Sequence, residues 1–494
     1  MENDLITQRR KEEWRETLRT NLKTKERLAI PRVEMPALPG DYRNKNNEEV
    51  NRGLTPEQAR EEAKRCLDCV NPTCMQGCPV SIHIPTFIKN IERDNILEAA
   101  RIIRETSSLP AVCGRVCPQE KQCEQQCFYT QKLKKTPVAI GYLERYVADY
   151  EREAKEKNNS TDSPQANIEP NGIKIAVVGS GPAGLSFAGE MAKYGYDITV
   201  FEALHSLGGV LRYGIPEFRL PNDVIDFEIA QLKALGIKFE TNCIVGKTIS
   251  YDDLHEEGFQ GIFVGSGAGL PKFMGIPGEN LVGVLSSNEY LTRVNLMGAF
   301  DLDSETPVSR GKNVAIIGGG NTAMDSVRTA LRLGAERAMI VYRRSEEEMP
   351  ARLEEIHHAK EEGVEFLTLH NPVEYIGDEN GKIVAMKLQR MELGEPDASG
   401  RRSPKPIEGD IIEIPVDEVI VSVGVSPNPL IPRSFPGLDI TTKGTIVVNE
   451  MNQSALSDVF AGGDIVRGGA TVILAMGDGR QAAKGMHQHL SSIG

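Results

Sequence analysis

Long apolar runs are missing from this sequence. No segment reaches about 18 uninterrupted apolar residues, so no membrane-spanning helix is expected. An N-terminal apolar stretch of signal-peptide length is missing too. Met1 to Glu34 is rich in Arg, Lys and Glu, and a cytoplasmic protein is the expectation. Positive charge is in deficit: the net charge of −13 disfavours nucleic-acid backbones and anionic lipid headgroups as partners. Cysteine is almost confined to one window, since eight of the nine lie between Cys66 and Cys127. In a chain without signs of export, such clustering favours metal ligation over disulfides.

What is present divides into modules. At 494 residues and 40% hydrophobic content, the chain is long enough for about three domains. Residues 1–60 mix charges with Pro31, Pro36, Pro39 and Gly40, which predicts a short helix followed by an extended arm. Thr55 with Pro56 behind it predicts a helix running toward Cys66. Apolar residues at helical spacing in 84–88 and 96–103 complete a small, mainly helical cysteine domain over 1–150. The polar stretch 151–172 reads as a linker. After it, Lys174 to Val178 is a buried-strand run followed by a glycine turn, a helix and a second strand at 198–201. The same order returns from Val314 to Tyr342, which predicts two βαβ nucleotide-binding units. The fold class is therefore α/β, with two Rossmann-like dinucleotide-binding domains behind a helical domain. The expected boundaries are 173–300 and 446–494 for the first domain and 301–445 for the second, inserted one.

The cysteines run Cys66-x2-Cys69-x4-Cys74-x3-Cys78-Pro79, then Cys113-x3-Cys117-Pro118-x5-Cys123-x3-Cys127. Proline directly after a ligand cysteine recurs in bacterial-ferredoxin-like runs, and two four-iron clusters need about eight ligands in total. Structural zinc also uses Cys-x2-Cys pairs, but the interleaved spacings fit a zinc ribbon poorly. Cys243 stands alone and reads as a small buried apolar residue without a role.

Gly179-Ser180-Gly181-Pro182-Ala183-Gly184 follows the first strand and opens a helix. Its glycines permit a tight turn and close approach to a pyrophosphate, and Glu202, about twenty residues on, can accept ribose hydroxyl hydrogen bonds. Beyond it, Gly208 to Pro216 can pass close to a planar ring. Near the C-terminus Val459 to Asp464 reads as a strand ending in an acid. Taken alone, Asp464 is as readily a turn or capping residue as a ligand contact. Gly318-Gly319-Gly320-Asn321-Thr322-Ala323 repeats the turn, so two different dinucleotides are expected. Where the second strand of that unit ends, Arg343 and Arg344 replace the acid; guanidinium groups suit a 2′-phosphate, so NADP is preferred to NAD.

In order, the segments CLDC, CMQGCP, LPAVCGRVCP, GSGPAG, GGVLRYGIPEFRLP, GGGNTAMD, VYRRSEEEMP and VFAGGDIV resemble the glutamate synthase small-subunit family. That family also includes the N-terminal part of dihydropyrimidine dehydrogenase and the large subunit of the NADH-dependent ferredoxin:NADP oxidoreductase. The resemblance implies FAD across Gly179, Gly181, Pro182, Ala183, Gly184, Glu202, Gly209, Arg212 and Asp464. It implies NADPH across Gly318, Gly320, Asn321, Thr322, Arg343 and Arg344. It further implies one [4Fe-4S] cluster on Cys66, Cys69, Cys74 and Cys127, and a second on Cys78, Cys117, Cys123 and Glu144, so that Cys113 is not a ligand although spacing alone counts it among eight. Hydride would pass from NADPH to FAD and leave as single electrons, with no side-chain acid, base or nucleophile required. The chain begins Met1-Glu2, whereas the family's amidotransferase nucleophile is an N-terminal cysteine. The resemblance therefore assigns glutamine hydrolysis to a large FMN-containing glutamate synthase subunit, within an oligomer. The run from Cys78 to Pro85 is closer to the ferredoxin:NADP oxidoreductase branch, which leaves a related electron acceptor as the alternative partner.

Overall fold

A computed structural model describes residues 7–157, 168–398 and 400–493. The first of its three parts is helical. Helix α1 (Glu13–Asn21) precedes the extended arm, and α2 (Pro56–Lys64) starts where the sequence places it. There Thr55 accepts from the Gln58 backbone and the Gln58 side chain returns to Thr55, a capping box that satisfies two helix-end amides. Helices α3 (Ile84–Glu92), α4 (Ile96–Arg104), α5 (Pro110–Val116) and α6 (Ile140–Lys157) follow. Helix α6 runs on through Lys157, so the first part of the segment read as a linker is helix instead. Its charged face is held by the Arg104–Glu151 ion pair at 2.7 Å. Residues 158–167 of that predicted linker lie outside the described residues.

The second part is a five-stranded parallel sheet. It comprises β1 (Lys174–Val178), β2 (Asp197–Phe201), β3 (Lys238–Glu240), β4 (Phe259–Val264) and a strand from the far end of the chain, Val459–Ala461, in the order Val459–Ala461, β4, β1, β2, β3. Residues 175–178 are buried throughout, as expected of a strand covered on both faces. One cover is α7 (Pro182–Ala192) with the C-terminal helix Val472–Ile493. They approach so closely that a Cβ at Gly479 would stand 2.2 Å from the Ala183 carbonyl oxygen. The helices of the cysteine domain share one continuous core with this face of the sheet. A second core fills the other face.

The third part repeats the design. Here β5 (Val284–Ser286), β6 (Asn313–Ile317), β7 (Arg337–Tyr342), β8 (Glu365–Thr368) and Glu418–Val421 form a parallel sheet in the order β5, Glu418–Val421, β6, β7, β8. An antiparallel sheet of His370–Gly377, Ile383–Pro396 and Arg402–Pro415 packs against it. Both expected crossings between the two nucleotide-type domains come earlier in the chain than predicted. The second domain begins by Val284 rather than 301, because β5 pairs in its sheet. The first resumes before 446, because Ile431 and Phe435 pack in the core beneath its own strands. Both crossings are rich in glycine and proline, but turn signals do not show which sheet a three-residue strand joins.

Candidate functional site

The first glycine turn has the geometry its sequence implies. A Cβ at Gly184 would sit 2.0 Å from the Gly179 carbonyl oxygen, so only glycine lets helix α7 start this close to β1. Gly181 has nothing within 4 Å of its Cβ position, because it faces a cavity of about 810 Å³. The same cavity is lined by Gly179, Pro182, Ala183, Glu202, Gly209 and Asp464. The free amides of the α7 N-terminus border it, a ready site for an anion. Glu202 is buried and fixed in place: one carboxylate oxygen accepts from the Ser180 amide at 2.9 Å and hydroxyl at 2.5 Å, the other from the Leu204 amide at 2.9 Å. Burial pushes Asp464 up to about 6. It also pushes Tyr213, another lining residue, up to about 12, with Asp464 and Glu202 adding to the shift.

Arg212 stands apart from the other residues expected at this site. It does not line the cavity; it pairs with Asp226 and donates to the Leu207 carbonyl. It thereby anchors the glycine-rich loop to the helix Asn222–Ala234.

The second turn opens into the same cavity through Asn321 and Thr322. Gly318 and Gly320 shape this turn but do not line the space; a Cβ at Gly318 would meet the Ser422 carbonyl oxygen at 2.3 Å. The two arginines at the end of β7 part company. Arg343 is exposed, whereas Arg344 is buried, donating to Asp397 at 2.6 Å and to the Arg402 carbonyl at 2.8 Å. Arg344 thus pins the tip of the long hairpin and is not presented to a phosphate. The asymmetry is invisible in sequence because Asp397 is 53 residues away.

Where the two domains meet, Arg219 and Asp325 line the cavity from opposite sides and pair at 2.6 Å. Burial pushes Asp325 up to about 6 despite that partner. Sequence reading missed both residues, although they stand inside the quoted segments GGVLRYGIPEFRLP and GGGNTAMD. The cysteine domain reaches the cavity as well, through Val116. Its Arg115 carbonyl and Gln119 side chain accept from Arg352, whose amide in turn donates to Asn321 at 2.8 Å.

The cysteines assemble in two groups. Cys66 and Cys127 stand near enough to push up both Cys69 and Cys74, and Cys117 and Glu144 near enough to push up both Cys78 and Cys123. Among the described residues no three such groups stand close enough to hold a single metal ion; a four-iron cluster is wider and holds its thiolates farther apart. Burial, then like charges, pushes Cys69 up to about 12, and burial does the same to Cys78. Such thiols are deprotonated only by a bound cation.

Glu144 fits this donor set. Its carboxyl is pushed up to about 8, chiefly by burial, and its Oε1 is buried without a hydrogen-bond partner. An orphaned buried carboxylate is costly unless something positive meets it. Cys113 is hydrogen-bonded to Cys117 of the same group, and its Sγ also contacts Met476 Sδ at 3.4 Å on the C-terminal helix. Glu144→Ala is therefore expected to lower iron from about eight to about four per flavin with the flavin retained, while Cys113→Ala keeps the full complement. Iron and flavin assay of the anaerobically purified variants checks both.

Comparison with known proteins follows the same division. A family model described as dihydropyrimidine dehydrogenase domain II, 4Fe-4S cluster, matches residues 43–156, and one described as pyridine nucleotide-disulphide oxidoreductase matches residues 173–479. The glutamate synthase [NADPH] small chain of Halomonas elongata is 36% identical over 474 residues, covering 94% of this chain and 97% of its own. That of Escherichia coli K12 is 36% identical over 466 residues, covering 93% and 97%. Among solved structures, Mycobacterium tuberculosis FprA in complex with NADPH superposes with a TM-score of 0.55 at 20% identity, over 66% of this chain and 85% of that one. That likeness shows the fold alone. With a helical iron-sulfur domain leading into two nucleotide-type sheets, and relatives aligned from end to end, the chain belongs to the glutamate synthase small-chain family of pyridine nucleotide oxidoreductases.

Proposed function

We propose that this chain oxidises NADPH at an FAD and delivers the electrons singly, through two [4Fe-4S] clusters, to a partner subunit, as the electron-input chain of glutamate synthase. The observation that carries the reading is the single cavity. It runs from the Gly179–Gly184 turn past Arg219 and Asp325 to Asn321 and Thr322, and it touches Val116 of the cysteine domain. A flavin bound there would take two electrons as hydride and give them up one at a time.

The chain's own residues supply position and shelter. The α7 amides and Gly181 would face the flavin pyrophosphate, Glu202 the ribose, and Asn321 with Thr322 the second dinucleotide. Cys66, Cys69, Cys74 and Cys127 would hold one cluster, and Cys78, Cys117, Cys123 and Glu144 the other. The acceptor is proposed to be the large FMN-containing glutamate synthase subunit, in an oligomer, with the reaction placed in the cytoplasm, where reduced thiols of this density persist. No helix among the described residues is long and apolar enough to cross a membrane.

Anaerobic titration with NADPH tests the reading. Bleaching of flavin absorbance followed by loss of cluster absorbance is expected, and a colourless protein, or one that NADPH leaves unbleached, would sink it. For cofactor choice, Arg343 is the arginine free to meet a 2′-phosphate. Arg343→Glu is expected to lower kcat/KM for NADPH by about 10- to 100-fold, the worth of one charge-assisted hydrogen bond, with little change for NADH. Steady-state kinetics with both nucleotides decides this. Loss of the preference in Arg344→Ala alone would contradict the assignment.

A further inference from the structure

The two cysteine groups are not equivalent in position. The group with Cys78 lies against the flavin-type domain. A Cβ on Gly477 would stand 3.0 Å from the Pro79 carbonyl oxygen, Arg480 donates to the Val80 carbonyl at 3.2 Å, and Cys113 contacts Met476 on the same helix. The group with Cys69 lies outward. Half-burial does not separate the groups, since Cys69, Cys74, Cys78 and Cys123 share it; what marks this one is two apolar side chains in solvent beside its cysteines, Val70 at 68% and Phe128 at 40% exposure. The Thr73 hydroxyl donates to the Gln126 carbonyl at 2.5 Å, which joins the two loops into one surface.

The charge of that surface runs against the rest of the molecule. The chain holds 70 acidic residues and a net charge of −13, yet 70–77 and 125–136 contain none. The nearest acids in sequence are turned inward and neutralised. Asp68 is buried against Arg15 and Arg19, and Glu124 is buried against Arg32. Lys132, Lys134 and Lys135 remain exposed on the segment that continues from Phe128, and none of them forms an ion pair among the described residues.

Exposed Val70 and Phe128, each next in the chain to a cysteine of the outer group, followed by exposed lysines without ion pairs among the described residues, suit a negatively charged surface. Resting on the reading of the chain as an electron donor, we infer that this face docks an acidic one-electron acceptor protein or domain. Each encounter passes one electron from the chain to the acceptor. No bond forms between chain and acceptor; two encounters carry off the electron pair of each hydride taken from NADPH, and its proton is released to solvent.

The test uses the full chain with its flavin and clusters, reduced by NADPH or, independently, by deazaflavin and light. Rubredoxin serves as an acidic one-electron probe, with its ferric iron becoming ferrous, and cytochrome c as a basic one. The variant is Lys132→Glu/Lys135→Glu; Lys134 is left alone because it holds a left-handed backbone with φ of 52°. Reduction of rubredoxin by the natural chain is expected to slow as salt rises. The variant should lose about ten-fold or more of the low-salt rate, while cytochrome c reduction holds or quickens and flavin bleaching by NADPH is unchanged. Carbodiimide cross-links between the chain and rubredoxin should map to 132, 134 and 135.

Lys132→Gln/Lys135→Gln, expected to lose an intermediate share of the rate, guards against a folding defect in the reversed variant. Rubredoxin reduction that is indifferent to both variants, or cross-links that map elsewhere, would overturn the inference. A chain that NADPH does not bleach, but whose light-reduced form keeps the lysine dependence, would instead refute the proposed function and leave this docking face standing.

Discussion

Gly181→Val is expected to yield a folded, brown chain that carries iron but no flavin, with NADPH oxidation reduced by more than about 100-fold. The backbone of Gly181 is extended, at φ −72° and ψ 179°, a conformation any residue adopts, and nothing in the protein lies within 4 Å of the added Cβ. Valine is thus tolerated by the chain itself, and its methyl groups fill space that belongs to the ligand. The second glycine of this turn exists to let the backbone approach a pyrophosphate. Gly184→Val is the contrasting variant. Its Cβ collides with the Gly179 carbonyl oxygen at 2.0 Å, so it should lower the yield of folded protein. Flavin content, iron content and circular dichroism of the two variants separate them. Normal flavin in Gly181→Val would show that the cavity is not the flavin site.

Glu362→Ala is expected to destabilise the protein by about 3–5 kcal/mol, the usual cost of stranding buried charges. Its carboxylate is fully buried and accepts from Arg328 at 2.8 Å, Arg332 at 2.7 Å and Arg43 at 2.8 Å. Arg328 also pairs with Glu355, and Arg219 joins the network through Glu355 and Asp325. Phe218 lies under Arg328 and Arg332, with the guanidinium carbons 4.6 and 3.8 Å from the ring centre. The network therefore ties the N-terminal arm and the flavin-type domain to the inserted domain. Removing one anion leaves three guanidinium groups without their common partner.

The pH dependence contributed by Glu362 and Glu355 has a definite sign. Burial alone would raise Glu362 and Glu355, but the arginines outweigh it, holding Glu362 well below the usual carboxylate range and Glu355 at about 2. A carboxyl depressed in the folded state stabilises fully above its unfolded value, 4.5 here, and the stabilisation is lost as pH falls toward the folded value. Thermal midpoints of the natural chain should therefore fall steeply below pH 4.5, and those of Glu362→Gln less steeply. Parallel profiles for the two would remove Glu362 from the acid response.

Chemistry written within a short span of chain was legible from sequence alone. The strand, glycine turn and helix at 174–192, the acid at Glu202, the repeat at 313–342 and the capped helix at Thr55 depend on neighbours within about twenty to thirty residues, and the cysteine window shows as a cluster in composition. The local backbone then has one good way to satisfy its hydrogen bonds and bury its apolar face. Contacts that join distant segments carry no such local signal. Arg43 and Glu362 are 319 residues apart, and neither position is marked in the sequence as half of a buried pair. The same holds for Arg344, turned inward by Asp397 53 residues away, and for β5, assigned to its sheet by pairing and not by composition. Which arginine of an adjacent pair faces solvent, and which buried carboxylate is left without a partner, is settled only when the whole core closes around them. Burial sets the cost of an unpaired charge, and burial is a property of the fold.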